Sequence, residues 1–163
     1  MILFISSLNY ENFFDNAYYD QVIDDILLSL NKIYPEKKIL IKPHPTTREE
    51  KLHKIIKNNK YKNLILTYMQ PNLILENAYL AITELFGTVM IDANKMGIPT
   101  IEYTKYDNQT LELTNNYSIG KKFIDHFINF NKNELEVILK NQFVRKPKEN
   151  SLLNPRLVEF INN

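Results

Sequence analysis

Two short stretches of this chain bring together residue types that can do chemistry. The first is Lys42-Pro43-His44-Pro45. Each proline fixes its own φ and restricts the residue before it, so His44 is clamped in an extended turn. Thr46 and Thr47 follow as a helix start, where free N–H groups and the positive end of the helix dipole lie beside the imidazole. A phosphate placed there could accept from His44, from the threonine hydroxyls and from the main chain. The competing reading is a rigid strand-to-helix connection with a structural histidine.

The second stretch runs from Ile82 to Glu102. Gly87 permits close approach of a ligand to the backbone. Thr88 stands at a helix start, where its hydroxyl either caps the helix or binds a phosphate oxygen. Asp92 lies one turn later on the same face and could orient it. Glu84, at a strand end, could bond a ribose or sugar hydroxyl, or simply be exposed. Glu102, after the fifth strand, is another ribose candidate.

Other chemistries lack their residues. With only three glycines the chain has no G-x-G-x-x-G and no Walker loop. Without cysteine it has no disulfide framework, no thiolate zinc site and no Cys nucleophile. Asp24-Asp25 sits within the first helix and reads as a solvated face rather than a metal pair. His53 and His126 read as structural.

The elements that must position these groups follow from pattern. Residues 2–6 form a short apolar run, as in a buried parallel strand. Asp15 can cap a helix in which Val22, Ile23, Ile26, Leu27, Leu30 and Ile33 recur at helical spacing, and Pro35 stops it. Strands are predicted at 38–42, 64–67, 79–83 and 99–103. Between them, Thr47–Glu50 is a capping box opening a helix with Leu52, Ile55 and Ile56 on one face. Pro71 suits the first turn of a short helix. A helix runs from about Thr88 to Met96, with Gly97 at the left-handed closing position. Residues 104–120 read as loop. Asn131 or Asn133 caps a helix to about Gln142, Arg145–Glu149 reads as a basic linker, and Pro155–Ile161 as a last helix.

Strands alternating with helices imply βαβ units and a parallel sheet covered on both faces. In such sheets ligands bind beyond the carboxyl ends of the strands, where both stretches fall. The 163 residues suit one domain, read as 1–163. The opening apolar run is too short for a membrane span and lacks a basic leader, so a soluble, cytoplasmic protein is expected. Net charge is +1, which argues against a nucleic-acid binder. Residues 1–36 carry one lysine and six acids, net −5, whereas 37–62 carry nine basic residues and two acids, net +7. That basic stretch is either one solvated helix face or a positive field beside an anion site or anionic membrane surface.

Taken together, strand–Lys-Pro-His-Pro–helix, then strand–Thr83-Glu84-x-x-Gly87-Thr88-x-x-x-Asp92–helix–Gly97-x-Pro99, resembles the carboxyl-terminal half of bacterial GT-B-fold transferases. The likeness is to the capsule and teichoic-acid group: sialyl- and polysialyltransferases, capsule sugar transferases and CDP-glycerol glycerophosphotransferases. In those families the His-Pro histidine and a Ser-Ser or Ser-Thr pair hold the donor's phosphates, and an acidic residue often precedes the pair. His44 matches the histidine, Thr88 the second hydroxyl, and Asp92 the acid of the following helix. Glu84 stands where Asp is common, and Gly87 replaces the first hydroxyl residue.

The resemblance implies a Rossmann-like three-layer αβα domain with a mainly parallel sheet, one half of a GT-B fold. Residues from about 150 to 163 would form a terminal crossover helix. The donor would be a CMP- or CDP-activated sugar or polyol, with no cofactor and no metal. His44 would be catalytic, and Lys42, Pro45, Thr46, Glu84, Gly87, Thr88, Asp92 and Glu102 would contact substrate. A second Rossmann-like half, in the same gene or a partner chain, would complete the cleft, with peripheral membrane contact as a further option. The alternatives are a non-catalytic nucleotide-sugar-binding or regulatory module and a flavodoxin-like signalling domain. The latter is weakened because Ser6-Ser7 end the first strand in place of an acidic cluster.

Overall fold

In the computed structural model, which describes residues 2–6, 16–44, 53, 54, 57 and 63–146, the apolar runs become strands of one sheet. They are β1 (Ile2–Ser6), β2 (Ile39–Pro43), β3 (Leu64–Leu66), β4 (Leu80–Thr83), β5 (Thr100–Thr104) and β6 (His126–Asn129). The order is β3-β2-β1-β4-β5-β6, and every pairing is parallel. The chain winds outward from β1 to β3, returns to the other side of β1 and winds outward again to β6. The strand order therefore reverses between β1 and β4, where doubly wound sheets open a crevice at their carboxyl ends.

Helices cover both faces. Helix α1 (Asn16–Ile33) and helix α5 (Lys132–Leu139) lie on one; the short α2 (Pro71–Leu75) and α3 (Thr88–Lys95) lie on the other. A further short helix, α4 (Asn108–Leu113), belongs to the excursion between β5 and β6. Val22, Ile23, Ile26, Leu27 and Leu30 meet Ile39, Ile41, Leu80, Ile82, Ile101, Tyr103 and Ile128 of the sheet. Full burial of such aliphatic side chains stabilises by about 1.5–3 kcal/mol each. On the opposite face Ala81 packs with Leu75, Met90, Ala93 and Ile98. Small Ala81 and Ala93 let α3 lie close to the central strands.

The expected strands form, displaced by a residue or so at their ends. Two elements depart from expectation: β6 was not foreseen, and residues 104–120 contain α4. Asp107 caps α4 by accepting the N–H of Thr110 at 2.7 Å, and Asn131 caps α5 by accepting that of Glu134 at 3.2 Å. His53, Lys54 and Lys57 are helical. The Thr47–Glu50 capping box, Leu52, Ile55 and Ile56, the Asp15 cap and the Pro155–Ile161 helix lie outside the described residues.

Asp25 is not on a solvated face. It is 9% exposed, accepts from the Tyr103 hydroxyl at 2.9 Å and pairs with Lys132 at 3.2 Å, joining α1, β5 and α5. Arg145 and Lys146, the described part of the basic linker, are bonded to the domain. Arg145 donates to the carbonyls of Leu75 and Glu76 at the end of α2, at 3.2 and 3.0 Å. The Lys146 N–H reaches the Gly97 carbonyl at 2.8 Å, and its ammonium pairs with Asp125. With the Phe143 N–H on the Tyr79 hydroxyl at 3.2 Å, this segment straps the amino side of β4, β5 and β6.

Candidate functional site

The carboxyl edge begins at β2. Lys42 is half-buried and turns its ammonium onto the Pro43 carbonyl at 3.1 Å, while His44, the first residue past the strand, is exposed. Pro45 and Thr46 lie outside the described residues. β1 separates β2 from β4, so the ends carrying His44 and Glu84 are two strand spacings apart, roughly 10 Å. A ligand touching both His44 and Thr88 must span the end of β1.

At β4 the chain turns sharply. The Thr83 hydroxyl donates to the Leu85 carbonyl at 2.6 Å and accepts that residue's N–H at 3.4 Å. This local bond ends the strand and leads through Phe86 to Gly87, the N-cap of α3. Gly87 has φ −146° and ψ 169°, extended backbone that any residue adopts, and a Cβ there would meet nothing within 4 Å. Its value is a missing side chain, not a special conformation. No side chain caps α3 and no acid lies in its first turn. The start of α3, with its partial positive charge, therefore lies beside Thr88, the Met90 N–H being taken by the Gly87 carbonyl at 2.9 Å. Thr88 is exposed and is the first helical residue, not the cap; Asp92 is exposed one turn on.

Glu84, one residue past β4, is 7% exposed. It lies near Tyr18 in the first turn of α1. Burial is the main cause that pushes the Tyr18 phenol above its ordinary range, with the charges of Glu84 and Asp25 adding to it. Glu102 sits inside β5 rather than after it and is 0% exposed. Its carboxylate is engaged by Phe86, Tyr106 and Ser118, so direct contact with a ribose is not open to it. Burial raises its carboxyl above the usual range, and those three hydrogen bonds work against the rise.

Sequence reasoning missed groups on the same rim. Lys105, the first residue past β5, is exposed, with its ammonium 5.3 Å from the Tyr18 ring centre and 5.1 Å from that of Phe130. Phe130 takes φ 53°, uncommon for a bulky residue, and this left-handed turn at the end of β6 sets its ring 5.1 Å from Tyr18. Past β3, Tyr68 and Met69 are 59% and 55% exposed. Residues just beyond parallel strands carry the signal that would have flagged them. Among the described residues no His/Asp/Glu group could hold a metal ion. None of their helices is long and apolar enough to cross a membrane.

By sequence the chain matches no protein-family model and no curated protein. Its fold is similar to that of the Methanocaldococcus jannaschii UDP-GlcNAc 2-epimerase, solved in complex with UDP-GlcNAc and UDP. The TM-score is 0.60 at 21% identity, covering 99% of this chain and 45% of that one. It is also similar to the catalytic domain of the Helicobacter pylori cholesterol-α-glucosyltransferase, with TM-score 0.51, 16% identity and coverage of 85% and 84%. The fold is one half of a GT-B architecture. The chain spans under half the length of the epimerase.

Proposed function

We propose that this chain is the nucleotide-sugar-binding half of a glycosyltransferase acting on a bacterial surface polysaccharide. The observation that carries the reading is the start of α3 beyond β4, beside the strand-order reversal, with no side-chain cap and an exposed Thr88. Donor phosphate would accept from the first-turn amides and the Thr88 hydroxyl, and His44 would reach it from across β1. Transfer breaks the bond between the sugar's anomeric carbon and the phosphate oxygen. His44, as hydrogen-bond donor or general acid, would stabilise charge building on the departing phosphate. Tyr68 offers a ring face to a base, and Lys105 a charge to an acidic or phosphorylated sugar. The acceptor and a base to take its proton would come from a second half.

The resemblance in the Lys42–Pro45 and Thr83–Pro99 motifs favours a CMP- or CDP-linked donor. The likeness to the epimerase, the larger in extent, favours a UDP-sugar and a second reading in which the same donor half serves an epimerase. Calorimetric titration of the folded chain with CMP, CDP, UDP, UDP-GlcNAc and GDP separates them. Absence of binding by all five at millimolar concentration would sink the nucleotide reading.

A further inference from the structure

Glu102 lies in β5 between Thr83 of β4 and Phe127 of β6. No ion pair among the described residues reaches it. Three donors converge on it instead. The Phe86 N–H and the Tyr106 hydroxyl meet Oε1 at 3.3 and 2.7 Å, and the Ser118 hydroxyl meets Oε2. Those hydroxyls in turn accept the N–H of Ile119, at 3.4 Å, and of Gly120, at 2.8 Å. Gly120 has no room for a Cβ because the Phe86 ring occupies that space, and Phe86 stacks on Phe123 at 6.3 Å and 13°.

Strand packing alone would favour an apolar residue here, since a buried charge without a cation is costly unless hydrogen bonds satisfy it. What a carboxylate adds is the power to gather three donors from separate stretches. One of those stretches is the residue immediately before Gly87-Thr88. We propose that Glu102 is a positioning residue, an ionised latch that ties the approach to α3 to the 106–120 excursion and so fixes the Gly87-Thr88 phosphate site. The proposal rests on the phosphate-site reading above.

A proton on Glu102 has to be donated to the Ser118 or Tyr106 hydroxyl, which then turns from donor to acceptor, so the latch exchanges charge-assisted bonds for weaker neutral ones and loosens. Tyr106, the titratable group facing it, stays protonated throughout, because burial and then the Glu102 charge push its phenol far up. Glu84 and His126, each one position removed from a register partner of Glu102, belong to the opposite face of the sheet. Stability runs the other way. A carboxyl raised in the folded state gives stability that is complete below its unfolded value and is lost as pH rises through the folded value. Relative to Glu102→Gln, the wild type thus loses global stability with rising pH, while its loops tighten.

That opposition gives the test, made on the full chain. Amide exchange is followed at Phe86, Ile119, Gly120 and, as controls, Ile82 and Ile101, across pH 5 to 9, with UDP and CMP titrated in parallel. The latch predicts that protection of the first three rises with pH in wild type. In Glu102→Gln it stays low and flat, with affinity for whichever nucleotide binds about tenfold weaker, the scale of one charge-assisted hydrogen bond. The controls do not change. Equal protection in both proteins, or losses spread to the controls, overturns it. If Glu102→Gln fails to fold, the wild-type pH series and Ser118→Ala, expected to loosen Gly120, decide alone. Failure of wild type to bind either nucleotide would count against the binding reading, yet the exchange result would still decide the latch.

Discussion

At the amino ends of β4 to β6 the protein satisfies its own polar groups. Arg145 takes the last carbonyls of α2, Lys146 takes the Gly97 carbonyl and Asp125, and Tyr79 takes the Phe143 N–H. At the carboxyl ends of β2 and β4 the finish is different. His44 and Thr88 are exposed, and α3 starts without a side-chain cap although α4 and α5 each have one. β4 thus begins in a closed seam and leads, at its other end, to an exposed helix start without a side-chain cap. Changes to the seam should alter stability and leave binding alone; changes to the rim should do the reverse.

The largest effect is expected from Gly97→Ala. Gly97 holds φ 73°, and an added Cβ would overlap the Lys146 carbonyl, which is backbone and cannot swing aside. Left-handed strain and overpacking together cost on the order of 3 kcal/mol, or roughly 6–12 °C in Tm for a chain of this size. Calorimetric unfolding measures it. Nucleotide affinity of the folded protein should be unchanged, and a parallel loss would join the two ends that are here held separate.

His44→Ala tests the rim. It should lower affinity for CMP or UDP about ten- to hundredfold, the value of a hydrogen bond to a charged group. Cytidine or uridine binding should hardly change, and Tm should move little because His44 is exposed. Equal losses for nucleotide and nucleoside would return His44 to a structural turn. Arg145→Ala comes next: two bonds to helix-end carbonyls at a partly exposed site are worth about 1 kcal/mol, read as roughly 2–4 °C in Tm with no change in binding.

The seam and the rim were unequally legible in the sequence. Helix periodicity, Pro71 and Gly97 are local signals, and they set α1, α2 and the end of α3 well. β6 escaped because His126–Asn129 is four residues of mixed polarity without a readable period. The strand exists because β5 offers an edge. α4 escaped for a similar reason, being six residues held by one Asp107 cap. Asp25 and Glu102 show the deeper limit. Their neighbours in sequence say helix face and strand end, whereas Tyr103, Lys132, Phe86 and Ser118 arrive only when the sheet assembles.

Gly87→Ser has the smallest expected effect on stability and divides the remaining readings most cleanly. Position 87 is extended and its Cβ direction is empty, so serine enters without strain. As an N-cap it can accept a first-turn N–H, worth only a few tenths of a kcal/mol over glycine, near the resolution of a Tm measurement. The effect on ligand is less predetermined, because the same hydroxyl can also donate to phosphate. If the start of α3 holds the donor phosphate, the added donor should tighten CMP or UDP by up to about tenfold while cytidine and uridine stay as they were. If the serine instead stays on the helix as a cap, it occupies the amides a phosphate would use, and nucleotide affinity should fall by a few-fold alongside the slight gain in Tm. Either change would mark α3 as the phosphate site. An affinity indifferent to residue 87, in a protein that binds nucleotide, would move the site away from β4 and toward the His44 end of the sheet.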